Sequence, residues 1–278
     1  MFRSLLSVSC LALAGWLMHS PTAAQELGIN QALELRTYTL VDEASEAKLD
    51  AYLEHALLPA LTRLELGPIG VFAQAPQSEQ ELKAGDAKPA QDAQQPREIQ
   101  VLLLIPGASV AAVTGAAAQL AQDERYQTAA ADYLNTPAAE PLVKRIRSEL
   151  LMSFNCWPTV IVPKQKREEQ PRLFEMRVYE SPTEKLGDLK VEMFNAGEVP
   201  IFLDCGIAPV FMGNALIGDR MPNLTYMTVY NNDEERQAAW KAFVAHPDWQ
   251  VLKAVEKYQG TVSKIEKSDW LPKPYSQL

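Results

Sequence analysis

A five-residue pattern, Glu-x-Arg-x-Tyr, occurs twice in the chain and carries its most distinctive chemistry. It comprises Glu34, Arg36 and Tyr38, and again Glu175, Arg177 and Tyr179. An arginine can hold a carboxylate or another oxygenated anion through a forked pair of hydrogen bonds, and a tyrosine hydroxyl can add a third. The spacing of two places all three side chains on one face of a β-strand. Both sets are therefore candidates for binding an anionic or oxygenated small molecule.

The same residues also fit a structural role. A buried arginine requires a partner, and the glutamate two positions away on the same face is the nearest candidate. Two such pairs can form a salt-bridge network that seals one layer of the protein against another. The sequence leaves the ligand-binding and the structural interpretation open.

A second group of candidates lies in the string HPDW, which begins at His246. The imidazole is a candidate base, because its ordinary pKa is close to neutral. We therefore take Arg177, Tyr179 and His246 as candidate catalytic residues, which would orient an oxyanion, donate a hydrogen bond and accept a proton. Trp249 is a further candidate for ligand contact. In the alternative interpretation, Asp248 caps a helical segment and Trp249 packs in the core.

Several other chemistries are not indicated. After residue 24 the chain contains two histidines and two cysteines, too few and too scattered for a usual zinc or iron site, so we predict no metal and no cofactor. The sequence lacks G-x-S-x-G, P-loop and dinucleotide fingerprints, which argues against hydrolase, NTPase and Rossmann interpretations. A net charge of -9 without a basic cluster argues against nucleic acid as a partner.

The N-terminus is typical of a secretory signal peptide. Arg3 precedes an apolar run over residues 5–16, and small residues lead to a predicted cleavage after Ala24. No later stretch reaches the ~18 uninterrupted apolar residues that a membrane span requires. We therefore predict a periplasmic or secreted protein without a membrane span after cleavage. In such a compartment Cys156 and Cys205 can form a disulfide, and the alternative is a pair of buried free thiols.

The two Glu-x-Arg-x-Tyr strings begin two copies of one unit. Equivalent positions include Leu58 and Val199, Pro59 and Pro200, Phe72 and Phe211, and Tyr126 and Trp249. A repeat of this length predicts an internal duplication. In the second copy the predicted elements are strands at 173–180, 210–212, 224–230 and about 261–265, with helices that begin at Thr183 and at Asp233. The order β-α-β-β-α-β is that of a ferredoxin-like unit, an antiparallel sheet with both helices on one face.

Alternation along the first strand of each copy predicts which side chains meet the helices. We expect the apolar set, Leu33, Leu35 and Thr37 in one copy and Phe174, Met176 and Val178 in the other, to pack under the helices. The Glu-x-Arg-x-Tyr sets would then point to the opposite face. If the two sheets pack together as a barrel, that face is the barrel interior.

Four features of the sequence resemble the NIPSNAP family: the strings E-[LM]-R-[TV]-Y, an acid-capped helix with a tryptophan, HPDW and a Ser-acid-x-Leu-Pro tail. The resemblance implies an α+β fold, with two tandem ferredoxin-like domains packed sheet to sheet as an intrachain dimeric α+β barrel. The predicted organisation is a signal peptide at 1–24, domain one at 25–155, a linker at 156–172 and domain two at 173–278. Copy one departs from the family pattern, since ERY replaces HPDW. It also carries an insert at 75–98 that we predict to be a flexible loop.

The resemblance implies no defined activity, because NIPSNAP proteins have no agreed reaction. We predict an exported module that binds a small organic or anionic ligand or a protein partner. The chain would act as a monomer with a pseudo-dimeric barrel or as a higher homo-oligomer. The alternative is a cofactor-independent enzyme of the oxygenase, isomerase or decarboxylase type that uses the barrel interior. A cavity of several hundred Å³ reached by the Glu-x-Arg-x-Tyr side chains would favour the enzyme.

Overall fold

A computed structural model describes residues 30–76 and 98–278 of the chain. The first half contains β1 (Ala32–Leu40), α1 (Ala44–Tyr52), a π-helical turn (Leu53–Leu57), α2 (Leu58–Arg63), β2 (Gly70–Gln74), β3 (Gln100–Gly107), α3 (Val110–Leu120), α4 (Glu124–Ala129), α5 (Ala131–Leu134) and β4 (Val143–Ser153). The predicted signal peptide and most of the predicted 75–98 loop lie outside the described residues.

A short helix, α6 (Lys164–Arg167), lies in the segment between the halves. The second half contains β5 (Leu173–Glu180), α7 (Glu184–Met193), a π-helical turn (Phe194–Glu198), α8 (Val199–Asp204), β6 (Ala208–Ile217), β7 (Asn223–Tyr230), α9 (Asp233–Ala245), α10 (Pro247–Leu252), a 3₁₀ turn (Glu256–Tyr258) and β8 (Lys264–Pro272). Within the described residues, no helix is both long and apolar enough to cross a membrane.

The strands close into one antiparallel barrel in the order β1-β3-β2-β8-β5-β7-β6-β4. Each half contributes four neighbouring strands, and the halves join where β2 pairs with β8 and where β4 pairs with β6. Because the barrel is closed, neither four-stranded sheet has a free edge. The predicted α+β fold, two ferredoxin-like units packed as one intrachain barrel, is confirmed.

The strand faces are the reverse of our prediction. Leu33, Leu35, Phe174 and Met176 pack with one another and with residues of both halves inside the barrel. The opposite face of β1 and β5, which carries Tyr38 and Tyr179, packs against the helices of its own half. The expectation that the Glu-x-Arg-x-Tyr sets face the barrel interior is therefore wrong. Both strands are buried on both faces, so alternation alone did not distinguish the inside from the outside.

The barrel interior has an apolar and a polar end. Leucine and aromatic side chains fill one end, where Phe72 and Phe174 meet edge to face with ring centroids 4.8 Å apart. Toward the ends of β1 and β5, polar side chains such as Thr37 and Ser268 surround a cavity instead. Gln74 and Gln100, the last residue of β2 and the first of β3, line the same cavity.

Matching backbone features position the helices of the two halves. A side-chain cap begins the helix after the central strands in each half. The cap is Ser109 for α3 and Asn232 for α9, and it accepts an N–H from three residues onward at 3.1 and 2.9 Å respectively. Both first helices pass through a π-helical turn just before a proline, Pro59 or Pro200. In the second half the helix kinks at this turn, where Gly197 leaves the helical conformation, and it continues as α8.

One predicted element was misplaced. The last strand was expected at about 261–265, but β8 runs from Lys264 to Pro272. The bounds of this strand were hard to predict because most of its residues are polar. Only one of its faces contributes a large buried side chain, Trp270. The strand pairs with β5 along its length and reaches β2 at its C-terminal end, so it joins the two halves.

Candidate functional site

The second-half set is a closed network between the sheet and α9. The Arg177 guanidinium donates from Nε and Nη2 to the two Glu175 oxygens, at 3.0 and 2.9 Å. The Trp240 ring lies 3.4 Å from the guanidinium carbon, and its Nε1 donates to Glu175 Oε2 at 2.7 Å. Burial opposes the charge of Arg177, but Tyr226, Glu175 and Tyr179 outweigh it, so its pKa lies above the usual value. Only 9% of the Arg177 side chain and 3% of the Glu175 side chain are exposed.

The third member of the second-half set belongs to a buried aromatic cluster. The hydroxyl of Tyr226 donates to that of Tyr179 at 2.9 Å, and both rings pack near Phe194. Burial raises the pKa of Tyr226 well above its usual value, and the neighbouring Tyr179 adds to the rise. The Tyr226 hydroxyl is therefore neutral at physiological pH and acts as a hydrogen-bond donor.

A buried ion pair that the sequence analysis missed lies beside these tyrosines. Lys190 of α7 donates to Glu198 Oε2 at 2.7 Å, and its ammonium group lies 4.6 Å from the centroid of the Phe194 ring. The two side chains are 5% and 2% exposed. Burial raises the pKa of Glu198, and Lys190 opposes the rise. The pair spans the π-helical turn. A comparison of the two copies could have revealed it, because Leu49 and Leu57 stand at the equivalent positions of the first half.

The first-half set is more open. Arg36 donates to the two Glu34 oxygens at 2.7 and 3.0 Å, and the Ser148 hydroxyl donates to Glu34 Oε1 at 2.7 Å. Burial opposes the charge of Arg36, but hydrogen bonds to Glu34 and Tyr38 outweigh it and raise its pKa. The Arg36 side chain is 22% exposed. At the position of Trp240 the first half has Ala117, which is too small to cover the guanidinium.

Four tyrosines meet next to Arg36. The rings of Tyr52 and Tyr133 stack with centroids 3.9 Å apart, and the hydroxyls of Tyr52 and Tyr126 are hydrogen-bonded at 2.8 Å. Burial raises the pKa of Tyr52 and of Tyr133, and the nearby Tyr38 raises both further. The hydroxyls of Tyr52 and Tyr133 are consequently neutral at physiological pH. The cluster links the face of the sheet to the surface between α1 and α5.

A cavity of about 440 Å³ opens at that surface. Its wall is formed by Ala51, Tyr52, Ala129, Ala130, Tyr133 and Leu142. Charged and polar side chains, among them Lys48, His55, Asp132 and Glu140, lie around its rim. An aromatic wall with a few polar groups at the rim is the usual composition of a small-molecule site, and the volume is in the usual range.

The equivalent space in the second half is filled. Glu192 stands at the position of Ala51, and it forms an ion pair with Lys257 and accepts a hydrogen bond from Tyr258 at 3.2 Å. Leu252 stands at the position of Ala129 and packs on the aromatic core of the second half. These contacts tie α7 to the segment after α10, across the region that corresponds to the cavity.

The structure does not bring the predicted catalytic residues together. His246 caps α10, where its Nδ1 accepts the N–H of Asp248 at 3.2 Å. Among the described residues, no hydrogen bond or ion pair joins His246 to Arg177 or Tyr179. Trp249 packs on Phe243 with ring centroids 4.4 Å apart. The cap is the histidine itself, whereas the sequence pattern predicted Asp248 as the cap.

Cys156 and Cys205 are free thiols, and both are partly buried. Burial raises the pKa of Cys156 to about 11, so the reactive thiolate is scarce at neutral pH. In the described part of the chain, no cluster of three or more His, Cys, Asp or Glu side chains could hold a metal ion.

Residues 174–277 match the NIPSNAP family model, and no curated protein sequence matches the chain. A proposed monooxygenase from Lactobacillus acidophilus NCFM is similar in structure over 87% of this chain and 94% of its own, at 12% identity and a TM-score of 0.54. A second proposed monooxygenase, from Fusobacterium nucleatum, matches 88% of this chain and 93% of its own, at 5% identity and a TM-score of 0.53.

A NIPSNAP domain protein from Burkholderia xenovorans matches 37% of this chain and 95% of its own, at 17% identity and a TM-score of 0.33. At such identities the two proposed monooxygenases share the fold, and their activities do not transfer with it. The predicted resemblance to the NIPSNAP family is confirmed by the family match. Residues 174–277, which match this family, form one half of a duplicated α+β barrel.

Proposed function

We propose that this protein is an exported small-molecule-binding module whose ligand site is the cavity of the first half. The observation that carries the proposal is the cavity itself, about 440 Å³ with a stacked pair of tyrosines in its wall. The equivalent space of the second half is closed by Glu192 and Leu252. Export rests on the signal peptide expected at residues 1–24.

The lining favours a small planar organic molecule. The face of an aromatic ligand could pack on the Tyr52 and Tyr133 wall, and a hydroxyl or carboxylate group could reach Lys48 or His55 at the rim. The tyrosine hydroxyls are neutral donors, so they favour an oxygen acceptor on the ligand. Ala51 and Ala129 supply the space, because neither side chain extends beyond Cβ.

The enzyme alternative has weaker support than the binding proposal. Arg177 and Glu175 are enclosed by Trp240, and His246 is engaged as a helix cap. Arg177, Tyr179 and His246 are not among the residues that line the cavity of the first half or the cavity at the polar end of the barrel.

The test fills the cavity with the side chain that the second half uses. Ala129→Leu copies Leu252, and Ala238→Leu on the exposed surface of α9 is the matched control. Calorimetric titration with 2-naphthol and 4-hydroxybenzoate should show saturable binding to the wild type and to Ala238→Leu, and at least tenfold weaker binding to Ala129→Leu. Equal binding by Ala129→Leu and the wild type would place the ligand elsewhere.

A further inference from the structure

The polar end of the barrel interior forms a cavity of about 350 Å³ that is separate from the cavity of the first half. Neutral hydrogen-bonding side chains from four strands line it, namely Thr37, Thr39, Gln74, Gln100 and Ser268. Such groups hydrogen-bond a hydroxyl in either direction, as donor or acceptor. The remainder of the barrel interior is apolar, so the polar groups are confined to this end.

Three arginines and Lys267 also line this end of the barrel, together with the carboxylates of Glu98, Asp219 and Glu266. Arg147 donates to Asp219 at 3.0 Å, and Arg220 pairs with Asp219 at 3.2 Å and with Glu266. These pairs fix two guanidinium groups at the cavity wall. Arg145 lines the cavity as well, and among the described residues it has no ion-pair partner. An unpaired guanidinium can bind a carboxylate through two parallel hydrogen bonds.

We propose that the polar end of the barrel is a binding site for a small hydroxylated carboxylic acid. Arg145 holds the carboxylate, and the threonine, glutamine and serine side chains hold the hydroxyl groups. At about 30 Å³ for each water-sized group, the cavity accommodates about a dozen non-hydrogen atoms. A monosaccharide acid has this size and this combination of groups.

Both halves of the chain are needed for the site. The first half supplies Thr37, Gln100 and Arg145, and the second half supplies Arg220 and Ser268. The two sets face each other only because β4 pairs with β6 and β2 pairs with β8. The duplication therefore creates a site that neither unit contains alone.

A carboxyl group that contacts two arginines of the cavity wall, at 3.9 Å from Arg147 and 3.8 Å from Arg220, makes the local charge depend on pH. Burial raises the pKa of Glu149 to about 7, and a hydrogen bond with Asp219 contributes to the rise. The charged groups that face Glu149 are Arg147 on its own strand, and Asp219 and Arg220 in the turn between β6 and β7. Below pH 7 Glu149 is neutral and the cavity is less negative, so an anion should bind more tightly at pH 6 than at pH 8.

Calorimetric titration of the full chain with glucuronate tests the site. We expect saturable binding at pH 6, at least tenfold weaker binding by Arg145→Gln, and no binding of glucose, which has the hydroxyl groups without the carboxylate. Arg167→Gln removes one arginine from the exposed helix α6 and should bind glucuronate like the wild type. Ala129→Leu should also bind it normally, which separates this site from the cavity of the first half.

The pH dependence gives a second readout. Affinity of the wild type should fall several-fold between pH 6 and pH 8, and Glu149→Gln should show a flat profile over that range. Absence of saturable glucuronate binding at pH 6, or equal affinities of Arg145→Gln and the wild type, would overturn the proposal. A wild-type affinity that does not change with pH would overturn the role assigned to Glu149.

Discussion

The two halves of the barrel have the same backbone plan and different side chains between the sheet and the helices. Both have a π-helical turn at the same place, and both have a side-chain cap at the start of the helix after the central strands. In the second half this layer holds the Lys190–Glu198 ion pair. In the first half Leu49 and Leu57 occupy the two positions. One backbone thus tolerates either an ion pair or two leucines at the same site.

The two halves also differ in the side chain that covers the Glu-x-Arg pair. Trp240 lies on Arg177 and donates to Glu175, whereas Ala117 leaves Arg36 partly exposed. The second half is thereby closed by aromatic and ionic contacts. The first half is closed less completely, and its alanines at 51 and 129 leave a cavity. Under the proposed function, the second half is the structural half and the first half holds the ligand space.

The largest expected effect concerns the buried ion pair. Glu198→Leu leaves the Lys190 ammonium group buried without its partner and should lower the free energy of unfolding by about 3–5 kcal/mol. The double variant Lys190→Leu with Glu198→Leu copies the first half and should differ from the wild type by less than about 1 kcal/mol, or be more stable. Urea denaturation measures both. A double variant less stable than either single variant would show that two leucines, as in the first half, cannot replace the ion pair in the second half.

The next effect concerns the tryptophan that covers Arg177. Trp240→Phe keeps an aromatic ring but removes the donor to the Glu175 carboxylate, which should cost about 1.5–3 kcal/mol of unfolding free energy. Trp157→Phe is the control, since the Trp157 Nε1 is buried and has no hydrogen-bond partner among the described residues. The Trp157→Phe substitution should change the free energy of unfolding by less than about 0.5 kcal/mol. Equal costs at the two positions would contradict the role assigned to the indole of Trp240.

A smaller effect distinguishes the tyrosine pairs of the two halves. Tyr226→Phe removes the donor to Tyr179 in a fully buried layer and should cost about 1–2 kcal/mol. Tyr52→Phe removes the hydrogen bond to Tyr126 beside the cavity, where water can replace it, and should cost less than about 1 kcal/mol. Thermal unfolding monitored by circular dichroism compares them. A larger loss for Tyr52→Phe would show that the first-half layer is the more tightly closed one.

The duplication and the barrel could be predicted from the sequence, because the repeated strings carry the strand order and the family resemblance. The direction of the strand faces could not. In β1 and β5 both faces are buried, one by the barrel interior and one by the helices, so an alternating pattern has no solvent side for reference. The apolar set could fill either face. It fills the interior, and the Glu-x-Arg pairs find their partners under the helices.

The candidate site was predicted only in part. The Glu-Arg pairing within each set was anticipated as the structural alternative, and the hydrogen bonds at 2.7 to 3.0 Å are those it requires. The cavity was not anticipated, because it depends on two small side chains, Ala51 and Ala129, from separate helices. Lys190 and Glu198 were also missed, since eight residues separate them and only the π-helical turn brings them together.

We propose that the ligand space lies in the first half of the barrel and not in the second. Methyl NMR of the chain labelled at alanine and leucine, titrated with 2-naphthol, distinguishes the two locations. We expect saturable shifts of the Ala51, Ala129 and Ala130 methyl signals, with the Leu252 signals unchanged. Saturable shifts at Leu252 with the Ala51 and Ala129 signals unchanged would contradict the proposal.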